Sequence, residues 1–241
     1  MNKLNLIATA VTGLALAAST NAQSISKVNG AINVADGQTV ESISAVNGTI
    51  TVGANATVRD EISVVNGTVR VGAGGKLGDV TAVNGQINLG ERSTVGEVTT
   101  VNGDIVLQKN TTATNDITSV NGGILIHGQS SVAGDVTSVN GAIGLIATKV
   151  AGTVENVNGD TTIGINSTAA ALHYIKPKGI SISLNTTPRK TPRVIIGPNA
   201  VVTGNLTFER DVKLYVHSTA KVGTITGATA IPYSTAIAPK N

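Results

Sequence analysis

The sequence predicts an all-β, single-stranded parallel β-helix, a solenoid with 18–19 residues per coil and three short strands in each coil. Three observations lead there. The triplet Val-Asn-Gly recurs eight times, beginning at Val28, Val46, Val65, Val83, Val101, Val120, Val139 and Val157, at steps of 18 or 19 residues. A short fixed period marks a repeat architecture, in which each unit buries its apolar face only by stacking on its neighbours. Within each repeat, apolar and polar residues alternate with a period of two, the signature of a half-buried strand. Finally, no proline precedes Pro177, so every amide of the repeat region can enter a ladder to the next coil.

Counted from the Val of each triplet, positions one, five and seven are apolar: Val46, Ile50 and Val52; Val65, Val69 and Val71; Val83, Ile87 and Leu89; Val120, Ile124 and Ile126. Further apolar columns recur near position 13 (Val40, Val58, Leu77, Val95, Val132) and near positions 16 to 17 (Ile43, Ile62, Val80, Val98, Ile117, Val136, Val154). All are expected inside. Gly53, Gly72 and Gly90 punctuate the strands as tight corners. Helix is excluded because the spacing lacks a 3.6 period and β-branched residues favour a pleated surface. Ten or eleven coils about 4.8 Å apart would make a rod roughly 50 Å long.

Composition agrees with a thin, layered core. Of 241 residues 41% are apolar, but there is one Phe, three Tyr and no Trp, so Val, Ile, Leu and Ala must fill it. Cysteine is absent, which removes disulfides and thiolate metal sites. Lys3, the apolar run 4–18 and the small residues Thr20-Asn21-Ala22 read as a secretory signal over 1–22, too short to span a bilayer. The expected organisation is then a regular solenoid over 23–164, an irregular coil or insertion over 165–193 containing Pro177, Pro188 and Pro192, two further solenoid coils over 194–228, and a tail or cap over 229–241. Export to the periplasm or the extracellular space follows, with no transmembrane span after cleavage.

The repeated Asn-Gly pairs suggest a corner where Asn or Gly takes a positive φ angle. Stacking would align Asn29, Asn47, Asn66, Asn84, Asn102, Asn121, Asn140 and Asn158 in a ladder of amides along the axis. Tyr174, Lys176, Lys178, Arg189, Lys190 and Arg193 are a candidate patch for an anionic envelope polymer or lipid headgroups. Enzymatic signals are sparse. A six-residue beat resembles that of the hexapeptide acyltransferases, whose histidine base could here only be His127, His173 or His217. Polysaccharide cleavage would want converging carboxylates, and Asp60 with Glu61 is the one adjacent acidic pair. Acidic residues do not recur at a fixed position, against a calcium repeat. Positions four and six (Ala31/Asn33, Thr49/Thr51, Thr68/Arg70) form no regular Thr-x-Thr face for ice binding. No catalytic, cofactor or metal residues are expected.

The phrases Gly53-Ala54-Asn55-Ala56-Thr57-Val58-Arg59-Asp60-Glu61-Ile62, Val132-Ala133-Gly134-Asp135-Val136 and Gly197-Pro198-Asn199-Ala200-Val201-Val202-Thr203-Gly204-Asn205-Leu206 resemble those of the bactofilins, bacterial polymer-forming proteins, over most of residues 24–228. The resemblance implies a right-handed parallel β-helix, no catalytic residues, and nucleotide-free head-to-tail assembly. Residues 23–160 hold seven Lys or Arg against twelve Asp or Glu, whereas 161–241 hold nine against two; the rod should be electrically polar along its axis. The expected role is a non-enzymatic structural or scaffolding protein of the cell envelope, partnered by itself. The alternatives are an envelope-polymer binding module and a hexapeptide-type acyltransferase. Nucleic acid is not an expected partner of an exported chain.

Overall fold

The computed structural model describes residues 22–176 and 191–239, and among them no residue is helical. Their strands stack as a parallel β-solenoid of about eleven turns, the number of strands in the sheet that runs from Ile32–Val34 to Ala230–Tyr233. The other strands form a 19-stranded sheet. It carries two strand columns per coil, exemplified by Thr94–Val95 and Val98–Asn102. Most coils therefore have three strands, two of which run on as one in Thr57–Asn66 and Lys76–Asn84. All the pairings are parallel and, apart from a shift between Val58 and Glu61, in register: Ile87 lies on Ile105, Ile105 on Ile124, and Ile124 on Ile143.

The interior explains why a coil cannot stand alone. One coil contributes Ile50, Val52, Ala56, Val58, Ile62 and Val64, each 1% exposed or less. Full burial of a Val or Ile side chain stabilises by about 1.5–3 kcal/mol, and that burial is completed only by the coils above and below.

Two interior columns are polar, which the apolar reading of the core did not anticipate. Thr100, Ser119, Ser138, Asn156 and Tyr174 occupy successive coils at one register position, all 0% exposed. Their side chains donate to the carbonyls of Gly85, Gly103, Gly122, Gly141 and Gly159. Ser93, Thr111, Ser130, Thr148 and Ser167 are likewise buried at another corner. There Ser93 donates to the Gly72 carbonyl and Thr111 to that of Gln108. A hydroxyl is tolerated inside where a corner carbonyl accepts its proton.

The first position of each repeat departs from expectation. Val28 is 65% exposed, and Val46, Val65, Val83 and Val101 are 37–39% exposed. In the strand Ile43–Asn47 the side chains of Ile43 and Ala45 point inward. Alternation therefore sends Val46 out, and Asn47 follows it onto the corner.

The corner glycine has a steric reason different from a positive φ. Among the Val-Asn-Gly glycines only Gly30 and Gly48 have positive φ, and none of the eight asparagines does. Instead, a Cβ at Gly85 would overlap the carbonyl oxygen of Gly67, and the same holds along the column from Gly48 to Gly159. The left-handed residues form a separate column at another corner: Gly37, Asn55, Gly74, Arg92, Asn110, Gln129, Ala147, Asn166 and Asn199.

The segment 165–193, expected to be irregular, opens with ordered strands. Thr168–Ala169 and Ala171–Tyr174 pair with both neighbouring coils, and Leu172 lies on Leu206. The next described strand, Arg193–Ile196, lies on Thr161–Ile163; residues 177–190 lie outside the described residues, as do residues 1–21. Ala230–Tyr233, expected in the tail or cap, is a strand on Lys213–His217.

Two substitutions separate these corner requirements. Gly85→Ala forces overlap with the neighbouring coil and should cost about 1–3 kcal/mol, as overpacking does. Ala147→Gly relieves a left-handed alanine and should gain about 0.5–1 kcal/mol once the glycine's extra chain entropy is deducted. Urea midpoints check both, and equal effects of the two would refute the distinction.

Candidate functional site

The repeating strand around Val-Asn-Gly sends one set of side chains inward and leaves four columns outside. The outermost is the asparagine column. Asn47 Nδ2 donates to Asn29 Oδ1, and the relation repeats through Asn66, Asn84, Asn102, Asn121, Asn140 and Asn158, at 2.7 to 3.0 Å throughout. All eight are brought together on one corner. The ladder has a direction, because every amide donates toward the N-terminal end. At its other end the guanidinium of Arg210 donates to Asn158 Oδ1 at 2.7 Å and to the Val157 carbonyl, a charge-assisted cap.

Beside it run the valine column and then a hydroxyl column: Ser26, Ser44, Ser63, Thr81, Thr99, Thr118 and Thr137, in register from coil to coil. The next two places in that column are Glu155 and His173. His173 Nδ1 lies 3.5 Å from Glu155 and its Nε2 3.2 Å from Glu209, while Glu209 also accepts the Lys176 amide.

The fourth column is acidic, which corrects the expectation that acids do not recur at a fixed position. Glu61, Asp79, Glu97, Asp116 and Asp135 each precede the inward residue of the same strand column. The signal was present in Glu61-Ile62, Asp79-Val80, Glu97-Val98, Asp116-Ile117 and Asp135-Val136, once counted back from the strand instead of forward from Val-Asn-Gly. Stacked carboxylates repel. The cost is offset where Asp79, Asp116 and Asp135 accept the amides of Glu97, Asp135 and Thr153 in the following coil. Among the described residues, no group of three or more His, Asp or Glu is arranged to hold a metal ion.

Of the expected basic patch, the described residues are Tyr174, Lys176 and Arg193. Tyr174 is 0% exposed: its ring stacks on Phe208 at 5.8 Å, and its hydroxyl bonds Gly159 O and Thr161 Oγ1 at 2.7 Å. Burial pushes its ionisation far above the usual tyrosine range, against the lowering by the Thr161 hydrogen bond. Arg193 is held over the Tyr215 ring, 5.2 Å from its centre, and donates to the carbonyls of Ala238 and Pro239, so it anchors the C-terminal segment. Lys176 is exposed. Lys178, Arg189 and Lys190 lie outside the described residues.

The three histidines are dispersed. His217 is buried with its ring edge-on to Tyr233, and its Nδ1 accepts the Thr219 amide. His127 follows the strand Ile124–Ile126, six coils along, and His173 is held between carboxylates. A groove of about 370 Å³, within the usual range for small-ligand sites, crosses the outer face of the eleven-stranded sheet where Gly123, Ala142 and Gly144 leave space. It is flanked by Asp104 and Asp160 and lined by no histidine. These two carboxylates are three coils apart, about 14 Å at strand spacing, beyond the roughly 5–9.5 Å of a glycoside-cleaving pair. Each also accepts a backbone amide, from Gly123 and Arg193 respectively.

Comparison of the chain with known protein families, with curated proteins and with solved structures finds no match.

The ladder makes a testable demand on its own chemistry. Asn102→Ala removes two side-chain bonds, each worth about 0.5–1.5 kcal/mol net, and exposure to water places the cost at the low end. Asn102→Asp should cost more above its carboxyl pKa, since a carboxylate cannot donate to Asn84 and faces its oxygen, and should recover as pH falls and the proton returns. Denaturation midpoints at neutral and acid pH check this; a pH-independent Asn102→Asp would contradict the ladder.

Proposed function

We propose that the chain is a non-enzymatic structural or scaffolding protein of the cell envelope, exported by its N-terminal leader. It assembles head to tail in the manner of the bactofilins that its solenoid phrases resemble. The observation that carries this reading is the state of the two ends. Interior residues such as Ile87, Ile105 and Ile117 are 0% exposed, whereas Val222, Ile225, Ala228 and Ala230 of the last coils remain only partly buried against the same core. Among the described residues, Lys221–Val222, Ile225–Thr226 and Ala230–Tyr233 each pair on one side, with the preceding coil, and Ile25–Asn29 and Ile32–Val34 pair only with the following one. Unpaired edges at both ends of a stack are templates for further strands.

The charge distribution supports a direction for that pairing. A balance of −5 over residues 23–160 against +7 over 161–241 attracts unlike ends and disfavours like ones, steering approach while the open apolar ends supply affinity. The partner is a second copy, and no cofactor is required. Binding to an anionic envelope polymer is the weaker reading, since Tyr174 is buried and Arg193 is engaged. An acyltransferase role is weaker still, as each histidine stands apart from the others.

Light scattering of the purified protein in low and high salt tests the reading. Mass should grow beyond one chain in low salt, and Ile225→Glu, which sets a charge on the open coil, should keep the rods single. A strict monomer in both salts would overturn it.

A further inference from the structure

Seven consecutive coils present the same outward pair, a hydroxyl and a valine two residues apart along the chain, from Ser26 with Val28 to Thr137 with Val139. The Thr-x-Thr pattern sought at positions four and six belongs to the other sheet. The regular array is Ser/Thr-x-Val, and it lies beside the asparagine ladder. Its rows are separated by the inter-strand distance, so six steps extend it over about 29 Å. Successive valines from Val46 to Val101 differ by only two percentage points in exposure (37–39%), whereas Val28 on the end coil reaches 65%; the face is even along those four coils.

Three features narrow what such a face can bind. Within the hydroxyl, valine and asparagine columns from Ser44 to Asn140 there is no charged and no aromatic side chain; in the end coil an exposed Lys27 stands between Ser26 and Val28. The array gives way to charge where Glu155 and His173 take over the hydroxyl position. And the lattice is rigid, because glycine contacts and amide bonds fix the coil spacing on the adjacent corner. A partner that gains from the whole array must repeat at the same fixed interval, be uncharged, and accept hydroxyl hydrogen bonds alternating with methyl contacts. Sugar polymers draw on aromatic platforms and carry no rigid repeat of their own in solution. Ordered solid water meets every condition. Hydroxyls hold first-layer waters by hydrogen bonds at little entropic cost, methyl groups order the waters between them, and many weak contacts in register add as multivalent ones do.

We propose that the Ser/Thr-x-Val face binds ice. The acidic column borders the face, and there Thr99 donates to Glu97 at 2.9 Å; contact therefore centres on the valine column and the outer side of the hydroxyls. This activity does not depend on head-to-tail assembly, which uses the ends of the rod and leaves its side free.

The test is partition of the purified protein into slowly grown ice. Val101→Tyr and Thr118→Tyr break the lattice on outward positions, so circular dichroism should remain that of the parent, while Val101→Thr keeps a small group there. Asn88→Tyr makes the same intrusion on the opposite sheet. The parent, Val101→Thr and Asn88→Tyr should be enriched in the ice, and Val101→Tyr and Thr118→Tyr should lose that enrichment. Exclusion of the parent, or equal enrichment of Val101→Tyr and Asn88→Tyr, overturns the proposal. A parent left in the liquid whose mass falls on Val101→Tyr substitution would overturn it too, by identifying the face as a contact between copies.

Discussion

The structure depends on one geometric constraint: each coil lies directly on the last at the spacing of a parallel β-ladder, so every residue meets its own counterpart from the neighbouring repeats. A position where two backbones approach along the axis then admits only glycine, as at Gly85 over Gly67. A side chain that can both donate and accept becomes self-complementary when stacked, and asparagine on a corner satisfies itself without water. Charge behaves in the opposite way. The column Glu61 to Asp135 survives because neighbouring amides take up carboxylate oxygens, so the same stacking that unifies the core sets the terms on which acids are allowed.

Much of this was legible in the residues because in-register stacking converts sequence repetition directly into spatial columns. The three strands per coil follow from alternation, and the corner from Asn-Gly. The outward turn of the Val in each triplet was not, although the inward Ala45 and Ile43 before Val46 imply it; an isolated valine reads as core, and only counting alternation from the preceding strand shows which side it faces. The hydroxyl columns inside were missed for a related reason. Thr100 or Ser138 looks like surface until the corner carbonyls that accept their protons are in view.

Tyr174 shows how an interior column absorbs a residue that composition assigns to a surface. Its position continues the series from Thr100 through Asn156, and its hydroxyl makes the same bond to a corner glycine that the smaller side chains make. Tyr174 itself, being buried, does not join its basic neighbours at a surface. In a solenoid, residues a coil apart are closer neighbours than residues three apart in sequence, and charge runs must be read in columns before they are read as surfaces.

Distances along the rod test stacking most directly, and the absence of cysteine lets spin labels be placed without interference. Ser44 and Thr137 are five coils apart in one outward column, and Ser44 and Thr207 eight. Labels on these pairs should lie about 24 Å and about 38 Å apart, before label length is allowed for. The separation should scale with coil number, unaffected by the extra residues that precede Arg193. Distances that instead follow the count of intervening residues, or a second pair no farther apart than the first, would contradict in-register stacking.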